Sequence, residues 1–232
     1  MGSFLNVVAL RFNTGLNLLG RSSCSSCGEK LLWWELVPIL SFLFLRGRCR
    51  SCKVRIPVQY PLVELWTGLI FVTVPSFLIP AFCLYVVITI YDLRHKIVPD
   101  ALVYTSIFLA FSLRLFYVSS ILDWLAGPIL FAVFGGLWLF SKGKAMGFGD
   151  AKLVLSVGLL LGAAASFSGI ILAFWLGAIF GLSLISYSKF IPLLTGGKKI
   201  TMKSEIPFAP FIILGAWLSI IFQLDLLHVS FF

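Results

Sequence analysis

The sequence predicts an all-α polytopic membrane protein with a small cytoplasmic four-cysteine zinc-knuckle segment, and three observations carry that prediction. Of the 232 residues, 60% are hydrophobic and only 12% charged, and mean hydropathy is +1.05, a composition foreign to soluble domains. Apolar runs suited to a bilayer recur along the chain, with proline or glycine at or near most of the breaks. Nearly all basic residues fall on one side of those runs. Together they predict about seven transmembrane helices and a partial one at the start.

The opening stretch, Met1 to Leu10, is apolar for ten residues before Arg11. At 1.5 Å per residue it is too short to cross roughly 30 Å of hydrocarbon. It also lacks the basic region and small-residue cleavage site of a secretory signal. It reads as the tail of a helix or as a segment lying on the membrane surface. Residues 1–20 are therefore taken as a partial N-terminal helix, 21–56 as a cytoplasmic four-cysteine segment and 57–232 as the membrane domain. Within that last part the apolar runs predict helices near 59–76, 80–91, 101–118, 124–141, 151–165, 169–188 and 207–224. The second and fifth are short for a full span.

The four-cysteine segment is polar at both ends and carries Cys24-Ser25-Ser26-Cys27 and Cys49-Arg50-Ser51-Cys52, with twenty-one residues between the pairs. Each knuckle can give two sulfurs from one tight turn, which suits tetrahedral zinc through Cys24, Cys27, Cys49 and Cys52. Two disulfides or four free thiols are the alternatives, and the compartment decides between them. Between the pairs, Leu31 to Trp34 and Leu36 to Leu45 are too apolar for a freely solvated loop. They are expected to lie on the bilayer or on the helical bundle.

If alternate connections share a side, segment 11–55 and the loops near 92–100, 142–150 and 189–206 lie together. The turns near 77–79, 119–123 and 166–168 and the C-terminus then lie opposite. Seventeen of the eighteen Lys and Arg residues fall on or beside the first side, and only Arg114 lies toward the other. The positive-inside rule places that first side in the cytoplasm. A reducing cytoplasm favours zinc over disulfides. The net charge of +9 thereby has a use in orienting helices, with added attraction to anionic membrane lipid, and needs no nucleic acid to explain it.

Two carboxylates then stand out. Asp92 lies where an apolar run stops, and Asp150 closes Gly147-Phe148-Gly149-Asp150 between two such runs. An ionisable group at a membrane helix end is costly unless paired or used. Asp92 ends its helix, where the macrodipole does not favour an anion, so capping does not account for it. Asp150 has a bland alternative as the N-cap of a helix from Ala151, with Gly147 and Gly149 supplying turn conformations. In the functional reading those glycines let a substrate backbone approach. Two carboxylates sharing one proton can activate water for peptide hydrolysis. The same loops hold Asp100, which reads as an N-cap, and Lys152, which either sets the local field or snorkels.

These residues resemble a known family. Gly147-Phe148-Gly149-Asp150 with Ala151-Lys152, together with Tyr91-Asp92 and Ile97-Val98-Pro99-Asp100, is similar to the type IV prepilin peptidases, the GxGD membrane aspartic peptidases. Further landmarks follow in order: Gly2-Ser3-Phe4-Leu5-Asn6-Val7, the cysteine pairs, Tyr60-Pro61-Leu62-Val63-Glu64-Leu65, and Ile206-Pro207-Phe208-Ala209-Pro210-Phe211. The resemblance implies that Asp92 and Asp150 form a catalytic dyad. It implies prepilin or pseudopilin substrates, cut on the cytoplasmic side of the bacterial inner membrane between a basic leader and an apolar helix. It further implies, for many members, methylation of the new N-terminus with S-adenosylmethionine, tied to the cysteine segment.

The remaining groups read more plainly. Glu64 is expected in a structural or substrate-contact role, His95 as a solvated loop residue and Cys83 as a packing residue, while His228 has no assigned role. Gly158, Gly162, Gly169, Gly177 and Gly181 are expected to permit close helix packing. Two rival functions use the same residues. A proton-coupled transporter would relay ions through Asp92, Asp150 and Glu64, but such sites favour the bilayer midplane and repeated halves. A non-catalytic zinc-bearing assembly factor would keep its function when both aspartates become asparagine.

Overall fold

The structure, a computed structural model, describes residues 1–13, 22–24, 26–116, 120–144, 146–190 and 207–226, the side chains of 187–190 excepted. Arg21, Lys198, Lys199, Lys203, Ile206 and His228 lie outside the described residues, as do 14–20, 117–119 and the side chain of Lys189. Among the described residues every regular element is helical, and pairing between extended segments is limited to two isolated bridges. Among the described residues three stretches are long and apolar enough to cross a membrane: Ser76–His95, Ile121–Ser141 and Ala163–Ser186. The shorter Ala209–Ile221 is also apolar. The chain divides into two compact units, Met1–Ile90 and Tyr91–Phe232.

In the first unit α1 (Gly2–Arg11) packs against α3 (Gln59–Thr73), with α2 (Leu40–Phe44) between them in sequence. A Cβ on Gly2 would meet the Cα of Glu64 at 2.7 Å, so the two backbones touch only because residue 2 has no side chain. Asn6, fully buried, accepts from Gln59 Nε2 at 3.4 Å, and these two contacts make α1 and α3 antiparallel. Glu64 Oε2 accepts the N–H of Ile39 at 2.9 Å. Ile39 has φ 61°, a strained conformation for a β-branched residue, and it caps α2. The structural role expected of Glu64 is thus visible: it pins the chain between the cysteine pairs to the second turn of α3.

α4 (Ile79–His95) continues four residues beyond the run that ended at 91 in sequence, so Asp92 sits within its last turn. His95 is therefore helical rather than a loop residue, and it stacks on Tyr91 at 4.4 Å between ring centroids.

The second unit is built on α5 (Asp100–Phe116), α6 (Ile121–Ser141), α7 (Phe148–Leu161), α8 (Ala163–Phe190) and α9 (Ala209–Ile221). Lys152 pairs with Asp100 at one end of α5 and α7, and Arg114 Nε donates to Leu159 O at the other, so these helices run parallel. α6 runs against both. Gly127 on α6 meets Gly158 on α7, where a Cβ at position 158 would lie 2.5 Å from the Gly127 Cα. α8 and α9 form a second antiparallel pair through Gly169 and Gly215, whose added Cβ would collide with the Gly169 carbonyl. The expected packing role thus holds for Gly158 and Gly169, and Gly177 makes the same kind of contact with Phe208.

Gly162 does something else. Its φ of 78° ends α7, and α8 starts at once at Ala163, so the break lies here and not near 166–168. Polar groups clamp the break. Asp123 Oδ1 accepts the Ala163 N–H at 2.8 Å while Arg114 holds the Leu159 carbonyl, satisfying backbone groups that helix ends leave unpaired.

A Gly158→Ala change should destabilise the protein by about 1–3 kcal/mol because backbone must move to admit the methyl. Gly135→Ala, with nothing within 4 Å of the added carbon, should be neutral or stabilise by up to about 1 kcal/mol. Thermal unfolding in detergent should therefore place Gly158→Ala several degrees below wild type and Gly135→Ala at or above it.

Candidate active site

Asp92 and Asp150 both belong to the second unit, and both are buried, at 3% and 6% exposure. Asp150 is not the N-cap that its sequence neighbourhood allowed. Gly147 is the cap, α7 begins at Phe148, and Asp150 is the third helical residue. From there its carboxylate accepts the N–H of Gly147. This is the reciprocal half of a capping box, and it turns the carboxylate back over the start of α7.

Asp92 is held from another direction. Its carboxylate accepts the backbone N–H of Ala209, the first residue of α9. The N-terminus of that helix presents unpaired N–H groups and the positive end of its dipole, so it suits an anion. Among the described residues Asp92 Oδ2 is buried and has no hydrogen-bond partner. Burial pushes the Asp150 carboxyl up to about 7, and the neighbouring charge of Asp92 adds to the rise. The two groups therefore lie within electrostatic reach of each other, fifty-eight positions apart in sequence.

The glycine before the acid has a packing duty. A Cβ on Gly149 would lie 2.7 Å from the Cβ of Val98, so the loop Ile97-Val98-Pro99 rests directly on the first turn of α7. Close approach is required, but by the protein's own chain. Phe148 packs against Phe131 and Trp138 of α6, at 6.0 and 5.0 Å between centroids. Lys152 does not snorkel: its ammonium meets Asp100 Oδ1 at 2.7 Å and lies over the rings of Tyr104 and Phe148. Asp100 in turn is the first residue of α5, not the cap before it, and serves as the partner of Lys152.

Sequence reasoning missed Ala209 and Val98. The signal for Ala209 was present, since Pro207 and Pro210 bracket a helix start whose first N–H groups must find acceptors. Nothing in the sequence marked Val98 as the neighbour of Gly149, because that contact spans fifty-one positions.

The cysteine site belongs to the first unit. The sulfurs of Cys24, Cys27, Cys49 and Cys52 all lie within 4.8 Å of one another. Both knuckles make the same two backbone hydrogen bonds. The residue four after the first cysteine donates to that cysteine's carbonyl, Gly28 to Cys24 and Lys53 to Cys49. The residue five after it accepts from its N–H, Glu29 from Cys24 and Val54 from Cys49. Bridges between Ser23 and Lys30 and between Arg48 and Arg55 close the two loops. Gly28 and Lys53 both have positive φ, 72° and 58°. Backbone N–H groups of Cys27 and then Ser26 lower the Cys24 thiol to about 6, toward the thiolate a metal needs.

A helical membrane protein with two coupled carboxylates at helix ends is the class that fold and site define. Residues 1–77 match the bacterial peptidase A24 N-terminal domain and residues 77–182 match the type IV leader peptidase family. The chain is 31% identical over 219 residues to a prepilin leader peptidase/N-methyltransferase of Aeromonas salmonicida, covering 88% of this chain and 72% of that one. It is 30% identical to a protein of the same name from Bacillus subtilis, covering 96% of this chain and 90% of the relative. A Klebsiella pneumoniae protein of that name is 33% identical, over 69% of this chain and 80% of its own. No solved structure matches. The chain belongs to the type IV leader peptidase family.

Gly149→Ala should perturb the Asp150 turn by forcing Val98 away, at about 1–3 kcal/mol. In the Gly149→Ala/Val98→Ala double variant the clash is relieved, and thermal stability should recover by more than the sum of the single effects allows. A double-mutant cycle on unfolding temperature makes the comparison.

Proposed function

We propose that this protein is a membrane-embedded aspartic endopeptidase that removes the basic leader from type IV prepilins or pseudopilins, with Asp92 and Asp150 as its catalytic dyad. The observation that carries the reading is the pair itself. One buried carboxylate keeps an oxygen without a donor, and the other is raised to about 7 partly by its neighbour's charge. Such a pair holds one proton at neutral pH, and its titration steps belong to both groups.

The chemistry follows from that single proton. The ionised carboxylate takes a proton from water as the hydroxyl oxygen bonds to the scissile carbonyl carbon. The protonated one gives its proton to the leaving nitrogen as the C–N bond breaks. Asp92, whose Oδ2 has no donor, is suited to the first task and Asp150 to the second.

In the same reading the chain spans the bacterial inner membrane about seven times, and the dyad opens at the cytoplasmic face. An N-terminal segment (1–20) and a cytoplasmic four-cysteine segment (21–56) precede the peptidase domain (57–232). Zinc fits the four cysteines. Tetrahedral thiolates at about 2.3 Å from the metal stand about 3.8 Å apart, and Cys24 and Cys52 lie at 3.8 Å. The metal would cross-link the two knuckles. Methylation of the new N-terminus with S-adenosylmethionine is the second activity, supported by the names of the relatives.

Co-expression with a prepilin tests the proposal. Leader removal should be abolished by Asp92→Ala and by Asp150→Ala, and cleavage surviving in both variants would refute the assignment. Cleavage should also fall as pH rises through about 7, because the pair then loses its shared proton. In Asp92→Asn the Asp150 carboxyl should titrate lower than in wild type, since one cause of its rise is gone; carboxyl-carbon NMR reads the shift.

Purified protein should contain about one zinc, lost on replacing Cys24 and Cys49 by serine. The mass of the processed substrate should show one added methyl group when S-adenosylmethionine is supplied.

A further inference from the structure

Beside the second knuckle is a cavity of about 530 Å³, lined by Phe44, Leu45, Arg46, Arg48, Cys49 and Lys53. Three of its six lining residues are cations and none is acidic. All three cations are exposed, and among the described residues no carboxylate forms an ion pair with any of them. Two features hold them together. Arg46 and Gly47 have φ of 51° and 66°, which folds the chain sharply after α2, and the bridge between Arg48 and Arg55 closes the knuckle. Segment 22–56 carries six Lys and Arg against Glu29 and Glu35. It stays positive even when four thiolates and a divalent ion are counted together as about −2.

The same segment is apolar on its outside. Trp33 is 79% exposed, Phe44 82% and Leu43 63%, a combination that water does not favour. Its position along α3 says what covers it. The Glu64 bond to Ile39 fixes α2 about 8 Å along α3 from its first residue. α3 itself exposes Leu62, Leu65, Leu69 and Val72, an apolar stripe that faces lipid in the membrane-spanning arrangement proposed above, on which this inference rests. A segment tied to the first turns of such a helix meets the headgroup layer with its apolar side chains toward the acyl chains and its cations level with the phosphates.

We infer that the Arg46, Arg48 and Lys53 cavity binds the phosphate of an anionic membrane phospholipid, with Phe44 and Leu43 inserted beside its acyl chains. The volume leaves room for a glycerophosphate headgroup. Arginine pairs bidentately with phosphate, and lysine adds a point charge. The cysteine knuckle is then a docking module on the bilayer as well as a metal site.

The full-length protein, delipidated in detergent, is titrated with phosphatidylglycerol, with phosphatidylcholine and with inorganic phosphate, and retained lipid is counted by native mass spectrometry. Wild type should retain phosphatidylglycerol in preference to phosphatidylcholine, and inorganic phosphate at equal concentration should not displace it. Arg46→Gln, Arg48→Gln and Lys53→Gln should each weaken that preference about fivefold. Phe44→Ser, which leaves every charge in place, should weaken it too. In nanodiscs of wild-type protein, hydrogen exchange at residues 40–48 should slow when phosphatidylglycerol replaces phosphatidylcholine. Equal retention of the two lipids by wild type would overturn the inference without reference to any variant. Displacement by inorganic phosphate would make the cavity a free-anion site, and unchanged retention in Phe44→Ser would remove the membrane from it.

Discussion

Two carboxylates buried within electrostatic reach of each other are the constraint around which the second unit is arranged. Like charges taken out of water repel strongly and lose solvation, so such a pair persists only where fixed dipoles compensate and one proton is retained. Each acid receives one backbone N–H at the start of a helix: Asp150 from Gly147 at the head of α7, Asp92 from Ala209 at the head of α9. Helix N-termini are suited to this because their N–H groups have no partners inside the helix. The site therefore depends on where helices begin.

Those beginnings are fixed by close backbone contacts. Gly127 against Gly158 locks α7 to α6, Val98 rests on Gly149, and Gly169 against Gly215 locks α9 to α8. At the other end of α7, Arg114 and Asp123 clamp the break at Gly162. Small residues at these points let dispersion forces act between backbones where no hydrophobic drive exists inside a bilayer. A shift of either helix pair would move an N–H away from its acid, so the packing glycines and the two carboxylates form one mechanical system.

Much of this was legible in the sequence, and the failures share a cause. Asp92, Asp150 and the four cysteines stand out in the sequence because their chemistry is improbable where they stand, charge at the end of an apolar run and thiols in paired turns, and the fold brings each set together. The packing use of Gly158 and Gly169 was legible for a similar reason. Gly162 falls in the same small-residue pattern, but its positive φ makes it a terminator, and φ is not written in residue type. Asp150 was readable as a cap because helix starts are uncertain by a turn when glycines precede an acid. Lys152 and Asp100, Val98 and Gly149, and Ala209 and Asp92 are contacts between segments remote in sequence. Only the folded chain shows them.

The hold on Asp92 links the acid to the helix that carries its donor. α4 presents Asp92 from its final turn, where its own carbonyls point the same way and offer the carboxylate nothing. The N–H comes instead from α9, which starts between Pro207 and Pro210 and lies along α8 through the Gly169 contact. Withdrawal of α9 would leave both oxygens of a buried carboxylate without a donor, and the group would then favour taking up the proton held with Asp150. A proton drawn to Asp92 leaves Asp150 ionised and reverses which of the two can act as acid. In the proposed mechanism the division of roles within the pair, Asp92 as base and Asp150 as acid, therefore depends on α9 being docked.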